Sequence, residues 1–229
     1  MKPLGKKNYG SIPHLSNSKL GPGDHFVNHG QERILTEKKR DRHDEIFAFE
    51  KYDGSNVGIA KKNGQIFALT RSGYTAESSP YKQHHLFRYY VHEYEYLFDA
   101  ILEEDERLCG EWMLQTHGLK YSLKTYPIVF FDWFDSDNNR KTYDELAKTQ
   151  LQLPRLLHRG DAVSVNKLLP KLNVGTDEIK SLGMPEGIVY RVERKGNVDF
   201  LAKWVRSDFE SGKYIIDKNE TDLIWNTLE

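Results

Sequence analysis

Between Ile46 and Thr70 three short strand-like runs are separated by two glycine turns, a spacing that leaves little room for anything but β structure. Ile46-Phe47-Ala48-Phe49 and Val57-Gly58-Ile59-Ala60 are apolar or aromatic and too short for helices. Asp53-Gly54 lies between them, and Asn63-Gly64 joins Gly58–Lys62 to Gln65–Thr70 in the most reliable short hairpin signal a sequence offers. One lysine, Lys51, is fixed at the junction of the first two runs. Held rigidly and partly out of water, such a lysine can shed its proton and attack a phosphorus or carbonyl centre. The plain alternative is a β-hairpin carrying an exposed lysine. Lys-x-Asp-Gly alone does not decide, since chance yields such a three-residue pattern in roughly one chain in twenty of this length.

The remainder of the chain alternates hairpins with helices. Leu86, Tyr90, Tyr94, Leu97, Phe98 and Ile101 recur at helical spacing and predict one long helix over Tyr81–Glu104. Arg107–Leu114 and Pro127–Phe134 read as strands, and Thr142-x-x-Glu145 is a capping box opening a helix through about Leu151. Short helical pieces broken by Pro170 are expected from Pro154 to Gly183. Gly187–Glu193 and Val198–Val205 form a last hairpin about Lys195-Gly-Asn197, and a terminal helix is expected near Thr221–Leu228. Before Asp44 the chain is irregular, rich in Gly and Pro, and reads as an ordered extension, about residues 1–45, wrapping a core. Its basic run, Lys38-Lys39-Arg40 with Arg42, reads as a solvated face, with phosphate binding the alternative. Hairpins with intervening helices, rather than strict strand-helix-strand units, imply an α+β fold of mainly antiparallel sheets facing each other across a cleft. At 229 residues one domain is the expectation.

Composition narrows the function. With 33 basic and 34 acidic residues the molecule carries no overall field for a polyanion, so nucleic acid must meet a local patch. Aromatic residues, 12% of the chain, suffice for a core and for faces that stack on bases. No apolar run approaches the roughly 18 residues needed to span a bilayer, and no signal peptide is visible. The single cysteine, Cys109, excludes an intramolecular disulfide, fits a reducing compartment and reads as a buried inert thiol.

Four polar residues interrupt or border apolar strands: Arg71, Glu111, Glu186 and Lys203. Each could simply face outward. If instead they point into a cleft, the carboxylates need cationic, metal or hydroxyl partners. Taken in order, the segments around them resemble the covalent nucleotidyltransferase superfamily of ATP-dependent polynucleotide ligases and capping enzymes. Lys51-Tyr-Asp-Gly-Ser-Asn56 is similar to its first motif, Arg71-Ser-Gly73 to the next and Gly110-Glu-Trp-Met113 to the third. Phe130-Phe-Asp-Trp-Phe134, Glu186-Gly-Ile-Val189 and Ala202-Lys-Trp-Val-Arg206 resemble the segments that follow. Six ordered matches remove chance as a competitor. Within the superfamily the likeness is to RNA ligases of the RNA-ligase-2 type, in their small bacterial and phage forms, and the opening Tyr9–Leu15 and Gly21–Asp24 share it.

The resemblance implies a nucleotidyltransferase core with a central nucleotide cleft and a definite chemistry. Lys51 attacks the α-phosphorus of ATP, AMP passes to a 5′-phosphate end, and a 3′-hydroxyl displaces it. Lys51 must then be neutral, and cationic charge from a metal, Arg71 or Lys203 is expected to lower its pKa. Asp53, Glu111 and Glu186 are implied around a hydrated magnesium or manganese ion, with Glu111 alternatively on the ribose. Phe131 is implied to stack on adenine, or else to be plain core; Glu50 reads the adenine edge and Asn56 belongs to the same nucleotide site. Arg71 and Lys203 hold phosphate oxygens. Relatives often carry Lys-x-Lys in the fifth motif; here Lys203 stands alone and Arg206 is the substitute. Only 23 residues follow Arg206, so no separate C-terminal domain is expected.

The implied partners are RNA ends, with an end-healing kinase or phosphatase as companion, no membrane, and a monomer in the cytoplasm of a bacterial or phage-infected cell. A DNA ligase or a GTP-using capping guanylyltransferase is the enzymatic alternative. An idle nucleic-acid-binding module is the alternative from another class.

Overall fold

The computed structural model describes residues 1–172, 178–215 and 223–228. Helix α1 (His29–Thr36) begins where the Asn28 side chain accepts the Gln31 amide. Strands β1 (Asp44–Lys51), β2 (Ser55–Lys62) and β3 (Gln65–Thr70) follow, with Asn63 and Gly64 both left-handed in the β2–β3 turn. A 3₁₀ turn over Ala76–Ser78 leads to α2 (Lys82–Glu93) and α3 (Glu95–Ile101). Next come β4 (Arg107–Trp112), β5 (Tyr121–Leu123), β6 (Ile128–Phe134), α4 (Tyr143–Ala147), β7 (Leu156–Gly160), α5 (Val165–Leu172) and β8 (Ile179–Ser181). β9 (Gly187–Arg194), β10 (Asn197–Val205) and β11 (Thr227–Leu228) complete the chain.

The strands form two four-stranded antiparallel sheets, ordered β10-β9-β1-β7 and β3-β2-β4-β6, and a small mixed sheet, β11-β5-β8. Side chains alternate across a strand, so each large sheet has one face to bury. Ile46, Ala48, Ile188, Tyr190, Val192, Ala202 and Trp204 of the first sheet pack with Leu35 of α1 and Val165, Leu168 and Leu172 of α5. Val57, Ile59, Leu108 and Phe130 of the second pack with Phe87 and Val91 of α2 and Phe98 of α3. Helices therefore cover the outer faces, and the inner faces are left to line a cleft. This is the α+β architecture that the alternation of hairpins and helices implies.

Several elements differ from expectation. The runs flanking Asp53-Gly54 do not pair; β1 joins the first sheet and β2 the second, so the turn is a crossover. The long helix is broken at Tyr94, whose backbone leaves helical geometry (φ −107°, ψ 21°). Pro170 lies inside α5, near its end, and β7 replaces the helical piece expected after Pro154. Residues 223–228 are extended rather than helical, with β11 parallel to β5; Thr221 and Asp222 lie outside the described residues. Two expectations hold: Thr142 and Glu145 form the capping box, and Cys109 is fully buried with its thiol pushed up to about 12 by burial.

The first 28 residues are knitted to both sheets. Lys203 N–H donates to Pro13 O, while Leu15 and Lys19 amides donate to Lys203 and Val205 carbonyls, so this segment runs along the free edge of β10. Further back, Tyr9 N–H donates to Arg71 O and Thr75 N–H to Met1 O at the end of β3. Two of the four residues of the basic run are paired: Lys39 meets Asp161, and Arg40 meets Asp44 and Asp199.

Candidate active site

Lys51 ends β1, and after three intervening residues β2 begins in the other sheet, so the lysine stands where the two walls of the cleft are covalently joined. The link is tight. A Cβ at Gly54 would lie 2.5 Å from Trp112 O, which only glycine allows. Between the sheets is a cleft of about 790 Å³, lined by Glu50, Lys51, Asp53, Asn56, Arg71, Glu111, Phe131, Glu186 and Lys203. Residues far apart in sequence are thus gathered around one amine. Arg206 is not among the lining residues: its guanidinium contacts Asp208 at 2.6 Å and Pro185 O at 3.1 Å.

Strand pairing explains the convergence. Lys51 is opposite Gly187, which puts Glu186 at the same end of the sheet, and Lys51 Nζ lies 2.6 Å from Glu186 Oε2. On the other wall Asn56 is opposite Glu111, and Glu111 Oε1 accepts the Gly54 amide at 3.0 Å. Asp53 Oδ2 accepts the amides of Gly118 (2.6 Å) and Leu119 (2.9 Å), and its own N–H donates to the Tyr121 hydroxyl. Asn56 Oδ1 is buried and has no hydrogen-bond partner among the described residues. A buried acceptor of this kind is open to a donor from water or a ligand.

Phe131 reaches the cleft through a bulge. Cys109 pairs with Asp132 and Gly110 with Phe130, so Phe131 is the extra residue of β6, re-aimed as bulged residues are. Its ring meets Tyr9 edge-on at 5.1 Å. Glu50 is buried, and its carboxyl is pushed up to about 7 by burial, opposed by Arg155, 3.5 Å away. Arg71 is exposed and touches Ser11 Oγ at 3.4 Å. Lys203 is 3.5 Å from Asp24; burial first and then the charge on Lys51 lower its pKa.

The electrostatics of Lys51 correct one expectation. Burial alone would lower its pKa, yet Glu186, Glu111 and Asp53 outweigh it and raise the amine above its ordinary value. Three carboxylates near one cation keep it charged in the free cleft. Burial in turn raises Glu186, and pushes Glu111 up to about 7, with Lys51 opposing both.

Among the described residues no three metal-ligating side chains converge as direct ligands. The acids present are hard oxygen donors spread around the cleft, Asp53 already holds two amides, and Asn56 offers an unpaired oxygen. That set fits a hydrated divalent ion held largely through water, as magnesium prefers.

Other polar residues in or beside the cleft are given no role by the motifs they lie in or near. Asp132 is fully buried and accepts from Tyr9 Oη (2.6 Å), Arg140 Nε (3.0 Å) and Arg191 Nη1 (2.8 Å). Arg191 also reaches Glu193 at 2.7 Å and the Lys141 carbonyl, tying β9 of one sheet to β6 of the other. His84 joins Ser55 (2.8 Å) and Ser79 (2.6 Å), and burial pushes its imidazole down to about 4, leaving it neutral. His14, 1% exposed, bridges Ser18 (2.7 Å) and Asp24 (2.9 Å) behind Lys203. Polar residues on strands read as outward-facing until their partners are known.

Comparison with known proteins agrees with this geometry. No curated protein matches the chain in sequence. Similar solved structures include an archaeal ATP-dependent RNA ligase (19% identity, TM-score 0.53, 87% of this chain and 48% of that one). A Naegleria gruberi RNA ligase with PPi is also similar (16% identity, TM-score 0.52, 85% and 61%). So is a putative ATP-dependent DNA ligase from Aquifex aeolicus (18% identity, TM-score 0.51, 87% and 50%). The chain thus spans about half the length of the archaeal and Aquifex structures, and at these identities the likeness is one of fold. The RNA ligase family model matches residues 44–205, the greater part of the sequence and the part that carries both walls of the cleft, and the chain belongs to the RNA ligase family.

Proposed function

We propose that this chain is an ATP-dependent RNA ligase that seals 3′-hydroxyl and 5′-phosphate ends through an AMP carried on Lys51. The reading rests on one observation above the rest: Lys51 Nζ sits in the inter-sheet cleft, 2.6 Å from Glu186, with Glu111 and Asp53 around it. Family membership and the fold shared with ATP-dependent RNA ligases support it. Neighbouring Naegleria gruberi RNA ligase structures hold AMP with Mn and ATP with Mn.

On this reading Lys51 passes its proton to Glu186 along their contact, and the freed electron pair attacks the α-phosphorus of ATP. A P–N bond forms, the bond to the β-phosphate oxygen breaks, and pyrophosphate leaves. An oxygen of the RNA 5′-phosphate then attacks the same phosphorus, and the electron pair of the broken P–N bond returns to Lys51. Finally a 3′-hydroxyl, its proton passing to solvent, attacks the 5′-phosphorus; the phosphodiester bond forms, the anhydride bond to the AMP oxygen breaks, and AMP departs. Glu111 and Glu186 hold the reacting region, Asn56 accepts from bound groups, Arg71 and Lys203 receive phosphate oxygens, and Phe131 takes the base against its ring. A magnesium or manganese ion, when bound, offsets phosphate charge and orients the leaving pyrophosphate. Matched ends would come from an end-healing kinase or phosphatase.

Incubation with α-labelled ATP and magnesium should label the protein covalently, and Lys51→Ala should remove the label. An unlabelled wild type, or a labelled Lys51→Ala, rejects the proposal. A panel of nicked RNA and nicked DNA duplexes separates an RNA ligase from a DNA ligase.

A further inference from the structure

The cleft has no net positive field: Glu50, Asp53, Glu111, Asp132 and Glu186 line it against Lys7, Lys51, Arg71, Arg191 and Lys203. A nucleic-acid strand must therefore be gathered by charge outside it, and the net charge of −1 means that charge has to be local. One such place adjoins the cleft. Lys7, Arg71 and Ser72 line its rim, and the N-terminal segment lies across this end of β3, with Thr75 N–H bonded to Met1 O and Tyr9 N–H to Arg71 O. The crossing is close. Gly73 is left-handed (φ +86°), and a Cβ there would come within 2.1 Å of Lys6 O.

This crossing collects Lys2, Lys6, Lys7 and Arg71 on one surface, and among the described residues none of them forms an ion pair. Several other surface cations are neutralised, Lys61 by Asp99 at 2.8 Å, Lys62 by Asp105 at 2.6 Å and Arg159 by both Glu45 and Asp144, and what sets this group apart is that it lies beside the cleft. Tyr74, 48% exposed, joins the unpaired group, with Lys2 Nζ 4.6 Å from its ring centroid. Clustered free cations beside an exposed aromatic ring are what a single strand needs: charge for its phosphates and a surface for an unstacked base.

From this geometry we infer that the Lys2-Lys6-Lys7-Arg71-Tyr74 surface binds the single-stranded 5′-phosphate end of the RNA and feeds it into the cleft. The inference rests on the ligase reading. The 5′ end is the better fit because its terminal monophosphate adds charge next to Lys7 and Arg71, whereas a 3′-hydroxyl end adds none.

Fluorescence anisotropy with a 5′-phosphorylated single-stranded RNA of about ten nucleotides, followed across a salt series, tests the surface. Lys2→Ala/Lys6→Ala should bind more weakly, with a log–log salt slope shallower by about 1.4, at about 0.7 for each phosphate that no longer meets a lysine. Tyr74→Ala should also weaken binding, the 5′-hydroxyl oligonucleotide should bind wild type more weakly than the phosphorylated one, and the Lys61→Ala control should bind as wild type. Circular dichroism melts establish that each variant is folded. Unchanged affinity and slope in Lys2→Ala/Lys6→Ala, or a 5′-hydroxyl strand bound as tightly as the phosphorylated one, overturns the inference. ATP labelling of the wild type in parallel separates the two ideas. A protein that labels but ignores the patch loses this inference alone, whereas one that does not label loses the ligase reading.

Discussion

Two clusters of buried charge face the same cleft, and they are built on opposite principles. Around Asp132 every position is filled: three donors converge on one carboxylate, and the Arg191 guanidinium is shared among Asp132, Glu193 and the Lys141 carbonyl. Around Lys51 one ammonium is shared among Glu186, Glu111 and Asp53, burial drives Glu186 and Glu111 toward protonation, and Asn56 Oδ1 lacks a donor among the described residues. Saturation marks a brace between sheets, since a satisfied buried pair has nothing left for a ligand. Incomplete pairing marks the place where substrate completes the set. Buried charge alone therefore does not locate chemistry; at Lys51 it is the charge left unevenly shared beside an open cleft that does.

The contrast breaks if the brace can be removed without loss. Arg191→Ala leaves Asp132 and Glu193 buried with their main cation gone, and should destabilise the protein by about 3–5 kcal/mol in urea unfolding. A variant as stable as wild type would show that the sheets are held by other interactions. The opposite outcome is expected at the reactive cluster. Glu186→Gln should cut ATP labelling by about 100-fold or more, while the amide, equal in size and still able to accept from Lys51, should cost less stability than Arg191→Ala. A large loss of stability with labelling intact would reverse the assignment of the two clusters.

The smallest effect is expected at the far end of β1 from Lys51. There burial would raise the Asp44 carboxyl, but hydrogen bonds from Arg40 and Arg194 bring it down to about 2. An unfolded aspartate titrates at about 3.9. The stability from this pairing is thus complete above about pH 4 and is lost as pH falls through about 2. Asp44→Asn should unfold more easily than wild type near neutrality, with the gap closing between about pH 4 and 2 in urea titrations. A gap that stays constant over that window would show that the carboxylate charge is not what stabilises the pairing.

Much of this is legible in the residues alone. Short apolar runs and glycine turns mark the strands, and six ordered segments, with Glu50 just before the first, point to nine residues that line the cleft. What escapes depends on partners distant in sequence. Asp53-Gly54 reads as a hairpin because turn chemistry reports a reversal and not which sheet each arm joins. β7 carries His158 and Arg159 and shows no apolar run, since only Leu157 of its side chains is fully buried. Asp132 and Arg191 look like outward residues on apolar strands, and only their mutual contact reveals them as core. Arg206 matches a motif position, but its guanidinium is held by Asp208 and Pro185 O, outside the cleft. Asn28 and Gln31, by contrast, are a readable start for α1 within a stretch that looks irregular.

The crossover at Tyr52-Asp53-Gly54 has a mechanical side as well. Because the first sheet passes directly into the second there, a change in the angle between the walls turns about the backbone next to Lys51. Atoms near a pivot travel least. Were the walls to part, the Asp132–Arg191 brace would have to give first, and the amine beside the pivot would move less than Arg71 and Lys7 at the rim.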